Sequence, residues 1–196
     1  LTIGIESSSK PAYGTLAWKP ARQQILVSDE AGMTAIERLL AMPWPASTGS
    51  ICVHVLGREN RIGSLLNAPG IEFGLHLDEC AFCEVLSARM DAMPAAARLY
   101  VAGTESFLSL VRRQARDRGL AADVMLAEQA GAGARRAQCV HCKTVYDGIA
   151  RRAFDCPRCG VTLVVRDHYS RRIGAYQAVV LHPSDPNVPA LRQEPF

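Results

Sequence analysis

Aromatic residues make up only 6% of this 196-residue chain, and histidine occurs five times. With few aromatics interleaved among its basic residues, the chain lacks the stacking platforms of a nucleic-acid surface, and nucleic acid is not the expected partner. No apolar run approaches the length of a membrane-spanning helix. The first residues also lack the basic-then-apolar order of a secretory signal, so we expect a cytoplasmic protein with no membrane partner. Leu1 is not a start methionine, and the numbering can begin after a trimmed segment. Disulfide pairing is the next exclusion. The seven cysteines are an odd number and four of them form close pairs, which argues for a reducing compartment and against a disulfide framework. Finally, His54, His76 and His182 are dispersed, and no Ser/His/Asp or Cys/His arrangement for nucleophilic catalysis can be read.

What is present is a metal-ligand pattern. Cys139-Val-His-Cys142 and Cys156-Pro-Arg-Cys159 are two Cys-x-x-Cys turns, with fourteen residues from Cys142 to Cys156. Each turn aims two thiolates at one point, and together they make a tetrahedral S4 set suited to Zn2+, with Fe as the alternative. Pro157 lies inside the second turn, and Gly160 follows it where a positive φ lets amides approach sulfur. The segment between the turns is short, with Tyr146 and Phe154 as its only aromatics, so the site is little shielded. That favours redox-silent zinc in a structural role, since four protein ligands leave no open position. His141 could replace a thiolate; a nearby hydrogen bond is the expected role.

Charge is unevenly distributed around this motif. Between Arg135 and His182, nine basic residues face three acids, while the rest of the chain is net acidic. Arg166, Asp167, His168, Tyr169, Arg171 and Arg172 crowd many functional groups into one segment. They read as a docking surface for another subunit, with bidentate arginines and Tyr169 as an anchor, or as a solvated polar turn.

Along the chain, residues 1–23 read as an extended arm, broken by Ser7-Ser8-Ser9, Pro11 and Pro20. Residues 24–128 then alternate strand and helix. Strands are expected over residues 24–28, 51–56, 71–75, 98–102 and 123–127. Helices are expected over residues 31–42, from a cap at Asp78 to Met90, and from a cap at Thr104 to a stop at Gly119. Short apolar runs separated by helices imply a parallel sheet covered on both faces, an α/β fold. Residues 129–136 form a Gly/Ala linker, residues 137–182 a small β-rich metal module, and residues 183–196 an irregular tail that suits contact with a partner.

A doubly wound sheet invites a nucleotide site at the first strand-to-helix turn. That turn offers one glycine, Gly32, and two acids, Asp29 and Glu30, which repel phosphate and suit helix capping. Cys80-Ala-Phe-Cys83 at a helix start could be redox-active, but its spacing equally suits core packing. Cys52, in an apolar strand, is expected in the core.

Two family resemblances follow. Ile25-Leu-Val-Ser-Asp-Glu-Ala-Gly32-Met-Thr34-Ala is similar to the stretch that reads apolar strand, then Gly-Gly-Ile-Gly-x-Thr-Pro, in the NAD-binding domain of phthalate dioxygenase reductase-type ferredoxin reductases. Tyr100-Val-Ala-Gly103-Thr-Glu-Ser-Phe107 stands where that family has a strand ending in Cys-Gly-Pro. The frame is kept while the phosphate-binding glycines and the cysteine are replaced, which implies a scaffold that has lost nicotinamide binding. The two cysteine pairs, followed by Leu163-Val-Val-Arg166-Asp167-His168-Tyr169-Ser170-Arg171-Arg172-Ile-Gly174-Ala175-Tyr176, resemble the DmmA-type small subunit of dimethylamine monooxygenase, the haem-dependent oxidative N-demethylase. The resemblance implies a non-catalytic, zinc-ribbon, rubredoxin-like subunit of an NADPH-dependent complex. That complex demethylates secondary amines with O2 and passes formaldehyde to tetrahydrofolate. Its partners would be a haem-containing subunit, a flavin/iron–sulfur reductase and a folate-binding subunit. Haem, FMN, [2Fe–2S] and tetrahydrofolate would belong to those partners.

Overall fold

The computed structural model describes residues 11–58, 70–131, 133–182 and 184–196. Residues 1–10 of the expected arm, including Ser7-Ser8-Ser9, lie outside them, as does Pro183. The described residues form two compact units, 13–131 and 133–196, the latter grouped with residues 11–12.

The first unit is a parallel sheet of β1 (Gln23–Asp29), β2 (Ser50–Leu56), β3 (Ile71–His76), β4 (Ala97–Gly103) and β5 (Met125–Gln129), in the order β3-β2-β1-β4-β5. It carries α1 (Met33–Leu40), α2 (Glu79–Asp91) and α3 (Glu105–Asp117). Alternation along each strand splits the core in two. Leu26, Val53, Val55 and Tyr100 pack against Ile36 and Leu39 of α1. Ile25, Val27, Leu99 and Val101 pack against Phe82 and Leu86 of α2 and Leu108 and Val111 of α3. Central strands covered on both faces have no solvent side, which is why they read as unbroken apolar runs.

Helix starts follow their caps. The carboxylate of Asp78 accepts from the Ala81 amide at 3.0 Å, and the Thr104 hydroxyl accepts from the Phe107 amide at 3.3 Å. Gly119 follows α3 at φ +70°, a left-handed stop that favours glycine. Two boundaries shift from the sequence reading. Residues 30–32 form a 3-10 turn ahead of α1, and a second such turn over residues 122–124 moves β5 two residues later than expected.

The arm also differs from its reading. Residues 13–22 lack regular structure, yet Leu16 is buried and Trp18 packs edge-on against Tyr100, with ring centroids 5.3 Å apart. The Gly14 amide donates to the Ala127 carbonyl at 3.1 Å and the Leu16 amide to Glu128 at 2.6 Å, tying this stretch to β5. α1 alone does not cover its face of the sheet, and the arm fills the remainder.

The second unit is a five-stranded ribbon, β7-β6-β10-β9-β8, built from β6 (Arg135–Cys139), β7 (Val145–Ile149), β8 (Ala153–Asp155), β9 (Thr162–Ser170) and β10 (Ala175–Val180). All its pairings are antiparallel except β6 with β10. Its small core comprises Ala137, Leu163, Val165, Tyr169, Tyr176 and Ala178 together with the cysteines. The tail read as irregular contains a short helix, α4 (Val188–Gln193), which packs against β8 of its own ribbon. The Arg152 amide donates to the Glu194 carbonyl at 3.0 Å, Arg192 pairs with Asp155 at 2.6 Å, and Phe196 stacks on the Arg135 guanidinium.

Candidate metal centre

Two knuckles of the same backbone design hold the four cysteines. In the first, the Cys139 amide donates to the Thr144 carbonyl and the Lys143 amide returns to the Cys139 carbonyl, both at 2.9 Å. In the second, the Cys156 amide donates to Val161 at 2.9 Å and the Gly160 amide to Cys156 at 2.8 Å. The fifth residue of each turn takes positive φ: Gly160 at +72°, as expected, and Lys143 at +63° without the freedom of a glycine. This geometry turns backbone amides toward sulfur. The Cys142 amide donates to Cys139 Sγ at 3.5 Å, and the His141 and Cys159 amides act to lower the thiol pKa of Cys139 and Cys156 respectively. The Thr144 and Val161 amides likewise act to lower Cys142 and Cys159.

The ligand atoms converge. All four sulfurs lie within 4.8 Å of one another, with Cys142 and Cys156 Sγ 3.6 Å apart and Cys139 and Cys159 Sγ 3.9 Å apart. Tetrahedral Zn–S bonds of about 2.3 Å place sulfurs about 3.8 Å apart, so the donor set fits a tetrahedral S4 ion without rearrangement. Cys139 and Cys156 are buried; Cys142 and Cys159 are half-buried at the rim. His141 is exposed and outside the cluster.

Side chains add a second layer of contacts. The Tyr146 hydroxyl lies 3.2 Å from Cys156 Sγ and accepts from the Arg158 amide at 3.1 Å, which leaves its proton for the sulfur. Arg158 Nη1 donates to Thr144 Oγ1 at 3.1 Å, and that oxygen lies 3.4 Å from Cys142 Sγ. Burial raises the Cys156 pKa, but the Tyr146 hydroxyl and the amides outweigh it and hold the thiol at about 6. Cys142 is also lowered, chiefly by the Thr144 hydroxyl and amide. Cys159 is pushed up to about 12: the Val161 amide opposes this, but desolvation and the neighbouring sulfurs prevail. Cys139 rises through burial. Four thiolates this close repel one another, and only a cation lets all four lose their protons.

The other predicted residues divide. Arg166, Asp167, His168, Arg171 and Arg172 are exposed near the end of the ribbon's longest strand and its following turn. Tyr169 is not available as a docking anchor, because it is 6% exposed and packs edge-on against Tyr176. Asp167 pairs with Arg135 at 2.8 Å. Three of the nine basic residues are paired within the ribbon, Arg135 with Asp167, Arg136 with Asp147 and Arg152 with Glu194, and Arg192 of the tail pairs with Asp155.

In the sheet unit, Cys52 is buried and its thiol is raised to about 11 by desolvation. Cys80 is exposed, contrary to a core role, and Cys83 is half-buried with its thiol raised by desolvation. A raised Cys83 thiol is the opposite of the depressed thiol a redox pair needs. The dispersed histidines are a correction. Register sets His54 opposite Gly74 and Leu56 opposite His76, and the two imidazoles meet at 3.1 Å, Nδ1 of His54 to Nε2 of His76. Gly74 makes the space, since a Cβ there would sit 2.7 Å from His54 Nδ1. Sequence reasoning could have found this contact only through the strand register.

Together these features define an α/β parallel-sheet domain joined to a rubredoxin-like four-cysteine ribbon. The chain belongs to the DmmA-like family of dimethylamine monooxygenase subunits: residues 5–125 match its N-terminal domain and residues 136–179 its C-terminal domain. The heme-dependent oxidative N-demethylase delta subunit of Ectopseudomonas mendocina (strain ymp) is 35% identical over 102 residues, covering 52% of this chain and 58% of that protein. The match therefore spans less than two thirds of that relative. The fold is also similar to that of phthalate dioxygenase reductase, at 15% identity and a TM-score of 0.42, over 83% of this chain and 66% of that one. A score of that size has no bearing on activity. Among the described residues no helix is long and apolar enough to cross a membrane.

Proposed function

We propose that this chain is an accessory, non-catalytic, zinc-binding subunit of a cytoplasmic, multi-subunit haem-dependent dimethylamine monooxygenase. The complex would oxidatively demethylate a secondary amine and pass the formaldehyde to tetrahydrofolate. Its partners would be a haem-containing subunit, a flavin/iron–sulfur reductase subunit and a folate-binding subunit. The observation that carries this reading is the completed S4 set: Cys139, Cys142, Cys156 and Cys159 fill a tetrahedral ion's positions and leave none for substrate or oxygen. The ion would tie both knuckles together and hold β9 and its following turn in place. There Arg166, His168, Arg171 and Arg172 would meet partner carboxylates, with Asp167 locked to Arg135.

The test is to tag the chain in its native bacterium, purify it gently, and record metal content and absorption of whatever accompanies it. A haem Soret band, flavin and near-stoichiometric zinc, with partner bands, support the reading. An intact, fully active assembly after loss of Cys139 and Cys142 counts against it.

One set of observations favours a second reading, an electron carrier with Fe in the same site. Cys142 and Cys159 are half-buried at the rim, the Cys142 amide donates to Cys139 Sγ at 3.5 Å, and hydrogen bonds to sulfur tune iron potentials. Visible charge-transfer absorption that bleaches on reduction would support iron; a colourless protein with stoichiometric zinc dismisses it. A nucleic-acid role has less support, because few aromatic residues are interleaved among the basic ones.

A further inference from the structure

The parallel sheet of the first unit reverses its direction of growth once. From β1 the chain runs outward through β2 and β3, then returns to the other side of β1 as β4 and β5. Such a reversal opens a crevice beyond the carboxyl ends of the two central strands, here β1 and β4. Open α/β sheets bind ligands in that crevice, and phosphates in particular take the unpaired amides that begin the following helices.

In this chain those donors are taken. Asp29, the last residue of β1, places one carboxylate oxygen 3.0 Å from the Gly32 amide ahead of α1. Its other oxygen accepts from the Thr104 amide at 2.9 Å and from the Thr104 hydroxyl at 2.7 Å, at the start of α3. One side chain thus bridges the entries of both helices that flank the crevice. The backbone is closed tightly around it. A Cβ at Gly103 would lie 2.5 Å from Asp29 Oδ1, and a Cβ at Gly32 would lie 2.0 Å from the Ala102 carbonyl oxygen. Gly103 holds φ +155°, at the edge of the range that L side chains rarely adopt. The adjacent acid is also engaged, since Glu30 accepts from the Arg58 amide at 2.5 Å. Asp29 is therefore the ligand of the donors a phosphate would need, while Glu30 is engaged at the end of β2.

We propose that the Asp29 carboxylate is a built-in substitute for a bound phosphate: it fills the β1/β4 crevice from within and makes this unit refuse dinucleotides. The entries of α1 and α3 are held by the chain's own side chain, at the place where open α/β sheets take a ligand. This deepens the non-catalytic reading above, but it is tested on the isolated full chain without partners, so either can fail alone.

The experiment compares wild type, Asp29→Gly and Asp29→Asn by calorimetric titration and thermal melting, with NADH and with inorganic pyrophosphate as probes. Wild type should give no binding heat with millimolar amounts of either probe and no change in Tm. Asp29→Gly frees three donors, and its Tm should fall, then rise by about 3 °C or more in pyrophosphate at ten times the Kd. Asp29→Asn keeps an acceptor oxygen in place and should respond to neither probe. NADH binding by the wild type overturns the proposal, as does a folded Asp29→Gly whose Tm pyrophosphate does not raise. If Asp29→Gly unfolds in plain buffer, Asp29→Ser is read in the same way. Pyrophosphate-dependent refolding of either variant supports the proposal, and a variant that stays unfolded in pyrophosphate counts against it.

Discussion

The two units put their hydrogen-bond donors to opposite uses. In the sheet unit, donors at the strand ends are consumed by the chain's own oxygens: Asp29 takes the Gly32 and Thr104 amides, Glu30 takes that of Arg58, and Asp78 takes that of Ala81. In the ribbon, the amides of His141, Cys142, Thr144, Cys159 and Val161 favour the thiolate form of four sulfurs that converge on one position. The larger unit has the fold with the greater record of ligand binding, yet the smaller one holds the convergent ligand set. Fold class alone would have assigned the chemistry to the wrong half of the molecule.

Removing a ligand should break this contrast most sharply. Cys156→Ser leaves three thiolates, and metal content measured by elemental analysis should fall from one per chain to near zero. Structural zinc contributes about 10–16 kcal/mol in small metal-dependent folds, far more than the ribbon's few apolar residues supply. The chain's two tryptophans, Trp18 and Trp44, both lie in the sheet unit, so their emission reports that unit without the ribbon. Far-UV dichroism should lose the ribbon's strand signal while the tryptophan melting curve stays in place. A matching collapse of the tryptophan signal would show that the sheet unit depends on the metal.

Acid should act on the sheet unit through His54. Burial lowers its pKa, His76 and Arg89 lower it further and Glu72 opposes them, and it settles at about 4 against 6.5 when unfolded. The unfolded chain therefore takes up this proton first as pH falls. The contribution is fully present above pH 6.5 and is lost progressively toward pH 4, by up to about 3 kcal/mol. Urea midpoints followed by tryptophan emission at pH 7, 5.5 and 4.5 would show the decline, and His54→Gln should flatten it. A wild-type curve that is flat across this window would contradict a neutral, buried His54.

What was legible beforehand divides along the same line. The knuckles could be read because ligand spacing is local: two residues between cysteines, a proline and a glycine in the turn. The strands could be read because burial on both faces leaves unbroken apolar runs such as Ile25-Leu26-Val27. The capping roles of Asp78 and Thr104 were legible for the same reason, each being confined to one turn. What escaped depends on long-range register. His54 meets His76 only because β2 and β3 pair in one particular alignment, and Asp29 reaches Thr104 across 75 positions of sequence. Tyr169 looked exposed within a charged segment, but it falls on the inward phase of β9 beside Tyr176. The tail read as irregular because its fixed points, Asp155, Arg151 and Arg152, lie on and beside β8 rather than in the tail itself.

Smaller perturbations sharpen the contrast within the ribbon. Tyr146→Phe removes the hydroxyl contact to Cys156 while keeping the ring against Phe154, so the fold should persist and metal release to a chelator should quicken roughly tenfold. An unchanged release rate would mean that the amides alone set the sulfur environment. Arg192→Ala should do least. The pair with Asp155 is about half exposed on both sides, and such pairs contribute below about 1 kcal/mol. Asp155 is held below its usual range first by the Thr162 hydroxyl and only then by Arg192, so it keeps its main partner. The tail also retains the Arg152–Glu194 backbone bond, the Arg151 bond to the Gln193 carbonyl and the buried Val188. Hydrogen exchange over α4 should therefore rise only slightly in Arg192→Ala. Full loss of protection from that one substitution would mean that a single surface ion pair, rather than the backbone contacts to β8, holds the tail to the ribbon.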